Sequence, residues 1–280
     1  MSPSVWLRRV EARSALAVME EIAMKLTCCC ITWGKPEELG RLIECFQRQD
    51  YTNRELICLD DGGAYPDQPH GDHWRVVSFK RRFRTIGAKR AACAGLASSD
   101  SDSITIWDTD DVYLPWALSS VAAALEAAPW AQSRIVLEWD NDGAGPGWYK
   151  QETFNRKDPF RPGYHSSWAM RIESYMAIGG YQPSAHEDWP LAEALLRKFG
   201  PSADSTADGR PWMAYSRGPQ HLSTRIQAHH AAGAGGACFT RAWDERAGDT
   251  IEPVDLYPLI RWDRDYLAIP VPPEVHLREW

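Results

Sequence analysis

The sequence predicts an α/β fold, and three observations predict it. From Lys25 to Trp139, short β-branched or apolar runs alternate with helical patterns, which is the mark of strands joined by crossover helices. Two of the strand patterns end in acidic residues, Asp60–Asp61 and Asp108 to Asp111. The 280-residue chain is 44% hydrophobic and 25% charged, enough to bury a sizeable core as one large domain or one domain with an appendage.

Each element follows in order. "LTCCCI", Leu26 to Ile31, is the first strand. Pro36 then opens a helix in which Leu39, Leu42, Ile43 and Phe46 fall three and four apart and line one face. "RELICLDDGG" gives a second strand, Glu55 to Leu59, closed by two aspartates and two glycines. A third strand covers Trp74 to Phe79, a helix runs from Gly87 to Ala97, and a fourth strand is Ile104 to Trp107. Alanine-rich Trp116 to Ala128 is a helix, and "RIVLEW", Arg134 to Trp139, is a fifth strand.

Beyond that point the alternation stops. "NDGAGPGWYKQ" reads as a loop, and the stretch up to Gly163 as turns. "SSWAMRIESYMAIGGY" contains a short strand, a short helix and a glycine turn. "EDWPLAEALLRKFG" sets Glu187 and Asp188 before a helix with Pro190 in its first turn and Gly200 at its end, and "RPWMAY" is another strand. Three segments are expected: an N-terminal extension, 1–23, with helical character; a main domain, 24–223; and a C-terminal helix and extended tail, 224–280, packed on it. Met24 is an alternative start.

Composition narrows the function classes. No apolar run approaches the roughly 20 residues of a bilayer crossing, and no signal-peptide pattern is present, so a cytoplasmic protein without a transmembrane segment is expected. Seven cysteines, with Cys28, Cys29, Cys30, Cys58 and Cys93 inside apolar runs, indicate buried thiols rather than disulfides. Nothing has zinc spacing, because consecutive strand cysteines alternate faces. A net charge of −7 argues against a surface evenly coated for nucleic acid, although "KRRFRTIGAKR", Lys80 to Arg90, concentrates six basic residues.

In open α/β sheets, ligands sit in the crevice beyond the carboxyl ends of the strands. Both acidic clusters fall at such ends and are expected to face one cleft. Carboxylates packed together repel one another unless a cation offsets them. A hard divalent ion, Mg²⁺ or Mn²⁺, offsets that repulsion and in turn binds phosphate oxygens. The competing reading makes Asp110 or Asp111 a cap for the following helix.

Three ordered blocks carry a resemblance. "CCCITWGKPEELGRLIECFQRQDYTNRELICLDDGG", "TIGAKRAACAGLASSDSDSITIWDTDDVYLPWAL" and "GGYQPSAHEDWPLAEALLRKFG" resemble the GT-A-fold glycosyltransferases, family 2 in particular, over Lys25 to Ser223. The resemblance implies a Rossmann-like mixed sheet flanked by helices. It also implies a metal-dependent, inverting transfer of a sugar from a nucleotide-sugar donor, UDP-linked, to an acceptor hydroxyl.

Site residues follow from the same resemblance. Thr32 and Trp33 match the strand end that contacts the nucleotide base, and an aromatic ring there can stack on it; packing against the core or a helix edge is the alternative for Trp33. Asp61 matches a base-binding aspartate, with Asp60 beside it, and either can instead shape the turn. Arg90 matches a diphosphate contact and Lys89 is a weaker candidate, against a solvated helix face. Asp108, Asp110 and Asp111 match the D-x-D region, which implies Asp111 as metal ligand, Asp110 reaching the ribose or the metal, and Asp108 in support. Asp188 matches the catalytic base, which takes the acceptor proton, with Glu187 orienting it; a helix N-cap is the alternative for Asp188. Gly180 and Trp189 match the acceptor side. His221 stands where some relatives place a metal-contacting histidine, with His229 and His230 as alternatives.

The string "PLIRW", with Pro258 where processive members carry glutamine, points to a non-processive enzyme. The acceptor is a glycan, a small molecule or, in a phage-type variant, a hydroxymethylated base flipped out of DNA. Two rivals stand beside these readings. A catalytically silent nucleotide-sugar or carbohydrate-binding module keeps the fold without turnover. A nucleotidyltransferase needs a glycine-rich loop that "ITWGKPEEL" lacks.

Overall fold

The computed structural model describes residues 23–140, 147–152, 162–184, 186–217 and 252–253. His221, His229, His230, the "PLIRW" string, the N-terminal extension and nearly all of the C-terminal helix and tail lie outside the described residues.

The central strand is β1 (Leu26–Thr32). It pairs in parallel with β2 (Arg54–Asp60) on one side and β5 (Ser103–Asp108) on the other. Outward from β2 come β4 (Trp74–Ser78), parallel, and the two-residue β3 (His70–Gly71), antiparallel. Outward from β5 come β10 (Ala169–Arg171), antiparallel, then β7 (Trp130–Gln132) and β11 (Ala203–Asp204). The result is an eight-stranded mixed sheet in which the chain leaves β1 for opposite sides. That reversal opens a crevice at the carboxyl ends of β1, β2 and β5. Register makes the crevice common to both acidic clusters, because Thr32 lies opposite Asp60 and Ile31 opposite Asp108.

Helices cover both faces. The apolar stripe of α1 (Pro36–Gln47) is buried as its spacing predicts, through Leu39, Leu42, Ile43 and Phe46. With α3 (Ala117–Glu126) it closes one core, which includes Cys28, Cys30, Leu118, Val121 and Trp107. The opposite core joins Cys29, Cys93, Trp130, Trp168, Leu191 and Leu195 beneath α2 (Ile86–Ala94), the short α4 (Ile172–Ala177) and α5 (Asp188–Phe199). The three consecutive cysteines thus alternate faces, and the six described cysteines are free and buried. The helix expected to reach Ala97 ends at Ala94, where Gly95 caps it. Among the described residues no helix is long and apolar enough to cross a membrane.

One expectation is overturned. Gly147–Glu152, read as loop, form β9, antiparallel to β8 (Ile135–Asp140) with Ile135 opposite Glu152. The preceding glycines and proline dominate the local signal, while the aromatic pair Trp148–Tyr149 suits a pleated strand. Together with β6 (Val112–Tyr113), β12 (Met213–Arg217) and β13 (Glu252–Pro253), these strands make a second sheet of five.

Candidate active site

At the end of β2 the two aspartates separate in role. Asp60 has no exposed surface. One of its oxygens accepts from Gly62 N at 3.1 Å, the other from Ala64 N at 2.9 Å and Ser78 Oγ at 2.8 Å. Its carboxylate is engaged in building the turn, the alternative that the sequence offered for it. Asp61 accepts from Lys89 Nζ at 2.6 Å and from Phe83 N at 3.1 Å, with Arg82 Nη1 at 3.6 Å. Burial pushes the Asp61 carboxyl up, but the Lys89 and Phe83 hydrogen bonds and the charges of Lys89 and Arg82 outweigh it and hold the group below its ordinary value.

Lys89 corrects the reading of a solvated helix face. It is 7% exposed and donates to both Asp61 and the carbonyl of Thr32, each at 2.6 Å. Thr85 caps α2 by accepting from Ala88 N at 3.2 Å. The helix begins beside the crevice and turns its basic pair inward, where a buried carboxylate requires a cation.

Trp33 stands open at the crevice rim, 59% exposed, with the Arg82 guanidinium 4.3 Å above its ring. That placement excludes packing in the core. Gly62 passes so close that a Cβ there would lie 2.7 Å from Trp33 Cδ1. Next to it the hydroxyl of Thr32 is buried without a hydrogen-bond partner in the protein.

The end of β5 is held by aromatic packing. Trp107 and Tyr113 stack at 4.0 Å, and Tyr113 Oη accepts from Asp108 N at 2.7 Å. Thr109 Oγ1 donates to Ile31 O at 2.8 Å, tying the acidic loop to β1. Asp108 accepts from Arg90 Nη2 at 2.7 Å, Asp110 from Lys35 Nζ at 2.6 Å, and Asp111 from Ser166 Oγ at 2.7 Å. Neither Asp110 nor Asp111 caps the next helix, which starts at Ala117 after Trp116 and has no side-chain cap. The side chain of Asp110 keeps 20% of its surface exposed, while Asp111 is buried at 2%.

The donor set suits a hard cation that takes few protein ligands. Among the described residues no three His, Cys, Asp or Glu side chains converge on one ion position. An Mg²⁺-like ion takes one or two carboxylates together with substrate phosphates and water; the acidic end of β5 offers Asp110 and Asp111 as the pair that could hold it.

Arg90 closes the third side. It is 6% exposed, and besides Asp108 it donates from Nε to Glu187 Oε1 at 3.0 Å. Burial pushes the Glu187 carboxyl up; Arg90 opposes the shift, Asp188 adds to it, and the net direction is upward. Asp188 is the first residue of α5, partly exposed, and accepts from Trp189 N at 2.9 Å. Trp189 projects outward, 66% exposed. Gly180 is explained by its backbone: φ is +65°, and a Cβ would lie 2.7 Å from Tyr175 Cζ. The turn itself demands glycine here. Trp168 is core at 2% exposure.

Three residues missed in the sequence join the site. Ser166 holds Asp111 from a 3₁₀ turn, His165–Ser167. His165 Nε2 lies 2.8 Å from Tyr181 Oη, and its Nδ1 is 3.9 Å from Glu187 Oε1. Burial, then Arg90, hold the His165 ring well below the ordinary imidazole value, so it is neutral and that contact is no ion pair. They sit where the sequence has weak periodicity, and only the "GGY" turn hinted at Tyr181.

The comparisons with known proteins agree with this geometry. The family model "Glycosyl transferase family 2" matches residues 27–179, more than half of the chain, and takes in both acidic strand ends and the basic helix but stops before Glu187. A protein described as an uncharacterized glycosyltransferase, YwdF of Bacillus subtilis (strain 168), is 25% identical over 118 residues, covering 39% of this chain and 41% of its own. Crystal structures of S. aureus TarS 1–349 superpose with TM-scores of 0.50, at 13% identity and 69% coverage of this chain, and 0.52 for the complex with UDP-GlcNAc, at 15% identity and 72% coverage. This chain spans 60% and 61% of those two chains, less than two thirds of each of these relatives. On the family match, and with a mixed sheet whose acidic strand ends meet in one crevice, the chain belongs to glycosyl transferase family 2 and carries its GT-A fold.

Proposed function

We propose that this chain transfers a sugar from a uridine diphosphate sugar to an acceptor hydroxyl, with inversion at the anomeric carbon and one transfer per encounter. The observation that carries the reading is the wall made by Lys89 and Arg90. These adjacent residues of α2 tie the ends of β1, β2 and β5 and the start of α5 into one crevice.

The base is received between Trp33, Thr32 and Asp61. The exposed indole stacks on it, the strand end at Thr32 borders its edge, and Asp61 accepts from its N–H. UDP-GlcNAc bound to TarS, whose fold this chain shares, supports a uridine donor. Asp110 and Asp111 would hold Mg²⁺ or Mn²⁺, and the ion when bound would supply Lewis-acid stabilisation of the charge on the departing diphosphate. Lys35, 2.6 Å from Asp110, and Arg82 at the rim bring positive charge to the same anion.

Asp188 takes the proton of the acceptor hydroxyl as it attacks from the face opposite the leaving group. Its neighbour Glu187 is anchored by Arg90, which fixes the start of α5. Trp189 offers the acceptor a flat apolar surface. For a glycan or small-molecule acceptor this surface is sufficient.

A second acceptor reading, a hydroxymethylated base in DNA, rests on one observation: Lys80, Arg81, Arg82 and Arg84 are all exposed beside the crevice, next to the 46% exposed Phe79. Phosphate binding by such a loop weakens steeply with salt. Transfer to a glycan that ignores salt opposes that reading.

The test is a panel of nucleotide sugars assayed for Mn²⁺-dependent release of nucleoside diphosphate, alongside thermal stabilisation by UDP with Mn²⁺. Wild-type release that disappears in Asp188→Asn supports the enzyme. Binding without turnover in both proteins returns the chain to a silent nucleotide-sugar-binding module.

A further inference from the structure

Behind the candidate base lies a polar pair that the resemblance gave no role. His165 packs edge-on against Trp168, with ring centroids 4.8 Å apart, and against Tyr181 at 5.7 Å. Its Nε2 and the Tyr181 hydroxyl are 2.8 Å apart. Its other nitrogen lies 3.9 Å from Glu187 Oε1, the oxygen that Arg90 also holds, so the ring packs against the carboxylate without a hydrogen bond. Tyr181 is fixed in turn, because its N–H donates to Tyr175 Oη at 3.2 Å.

The start of α5 needs such a support. Glu187 occupies the N-cap position with φ −70° and ψ −27°, and no side chain caps the helix. Glutamate is not among the residues that cap helices well. Its side chain is drawn instead into the protein toward Arg90, and a carboxylate held from one direction alone can rotate about its own axis. The imidazole wall closes the second direction.

We infer that His165 and Tyr181 are positioning residues for the transfer: together they hold Glu187 in one orientation and thereby set Asp188 against the attacking hydroxyl. The inference rests on the reading of Asp188 as base. Neutrality of the ring fits the role, since a charged imidazolium would compete with Arg90 for Glu187. Displacing a reacting group by about 1 Å costs on the order of 100-fold in rate.

The experiment uses the full chain, with UDP release from a UDP-sugar into water as the rate and UDP binding by calorimetry as the control. His165→Ala and Tyr181→Phe are compared with His165→Gln, whose terminal amide reaches the position of Nε2, and with Asp188→Asn. Expected is a fall in kcat of about 10- to 100-fold for His165→Ala, a smaller fall for Tyr181→Phe, unchanged UDP affinity and partial recovery in His165→Gln. Wild-type kcat in folded His165→Ala, or a fall in UDP affinity matching the fall in rate, overturns the inference. If His165→Ala does not fold, Tyr181→Phe decides, because it removes only a hydroxyl: wild-type kcat there overturns the inference. Activity in Asp188→Asn instead overturns the base assignment, separately from the positioning pair.

Discussion

Arg90 Nη2 and Asp108 Oδ1 stand 2.7 Å apart, a pair that joins a helix to the end of a strand 18 residues further along. The same guanidinium reaches Glu187 at 3.0 Å. Carboxylates that the sequence led one to balance with a bound ion are therefore balanced in part by the chain itself: Asp108 and Glu187 by Arg90, Asp61 by Lys89, Asp110 by Lys35. A planar fork suits two acids at once in a way that an ammonium does not.

Removing that fork leaves two poorly solvated carboxylates facing each other. Arg90→Met is expected to destabilise the fold by about 3–5 kcal/mol, and Arg90→Lys by less, with loss of one of the two contacts. Urea denaturation of the three proteins measures this; equal midpoints would remove Arg90 from the account.

Asp188→Asn keeps the shape of the helix start and deletes the proton acceptor. UDP release should fall by about 10²- to 10⁴-fold with UDP affinity unchanged. Parallel kinetics and calorimetry separate loss of chemistry from loss of binding.

Trp33 is exposed enough that stability should not depend on it. Trp33→Ala should leave the melting temperature in place while weakening UDP binding by about 0.5–1.5 kcal/mol, the worth of an aromatic contact. A drop in melting temperature without an affinity change would make the ring structural.

Metal binding is read without turnover. UDP with Mn²⁺ at about 100 times the dissociation constant should stabilise the chain by about 2.7 kcal/mol. Chelation by EDTA should remove most of that increment, and so should Asp110→Asn. A stabilisation that survives both treatments assigns the diphosphate to the basic side chains alone.

The neutral His165 ring gives a pH signature. Unfolded, it takes up a proton near its ordinary value of 6.5, whereas in the folded chain burial and Arg90 prevent this. Its contribution is therefore complete above pH 6.5 and is lost as pH falls below it, by up to about 1.4 kcal/mol per pH unit. Glu187, raised by burial, acts in the opposite sense, its share declining as pH rises from its ordinary 4.5. The difference between wild type and His165→Gln isolates the imidazole, and should shrink as the solution is acidified from pH 7 to 5.

The strands β1, β2, β4, β5, β8, β10 and β12, the helices between them, their order and the two acidic strand ends are legible in the sequence, because apolar periodicity and the Gly, Pro and Asp punctuation of each segment are local properties; the two- and three-residue strands β3, β6, β7, β11 and β13 are too short to carry such a pattern. The buried stripe of α1 and the alternating faces of Cys28, Cys29 and Cys30 follow from period alone. Local pattern also misleads where turn residues adjoin a strand, as at Gly147–Glu152. Tertiary structure alone decides which acids have partners and which keep an open face. Asp60 and Asp61 are neighbours of the same type, yet one is spent on a turn and the other is paired with a lysine 28 residues away. That difference depends on distances and desolvation between segments far apart in the chain, and so does the company of His165, Tyr181 and Glu187, since electrostatic energies inside a protein are fixed by position in space rather than in sequence.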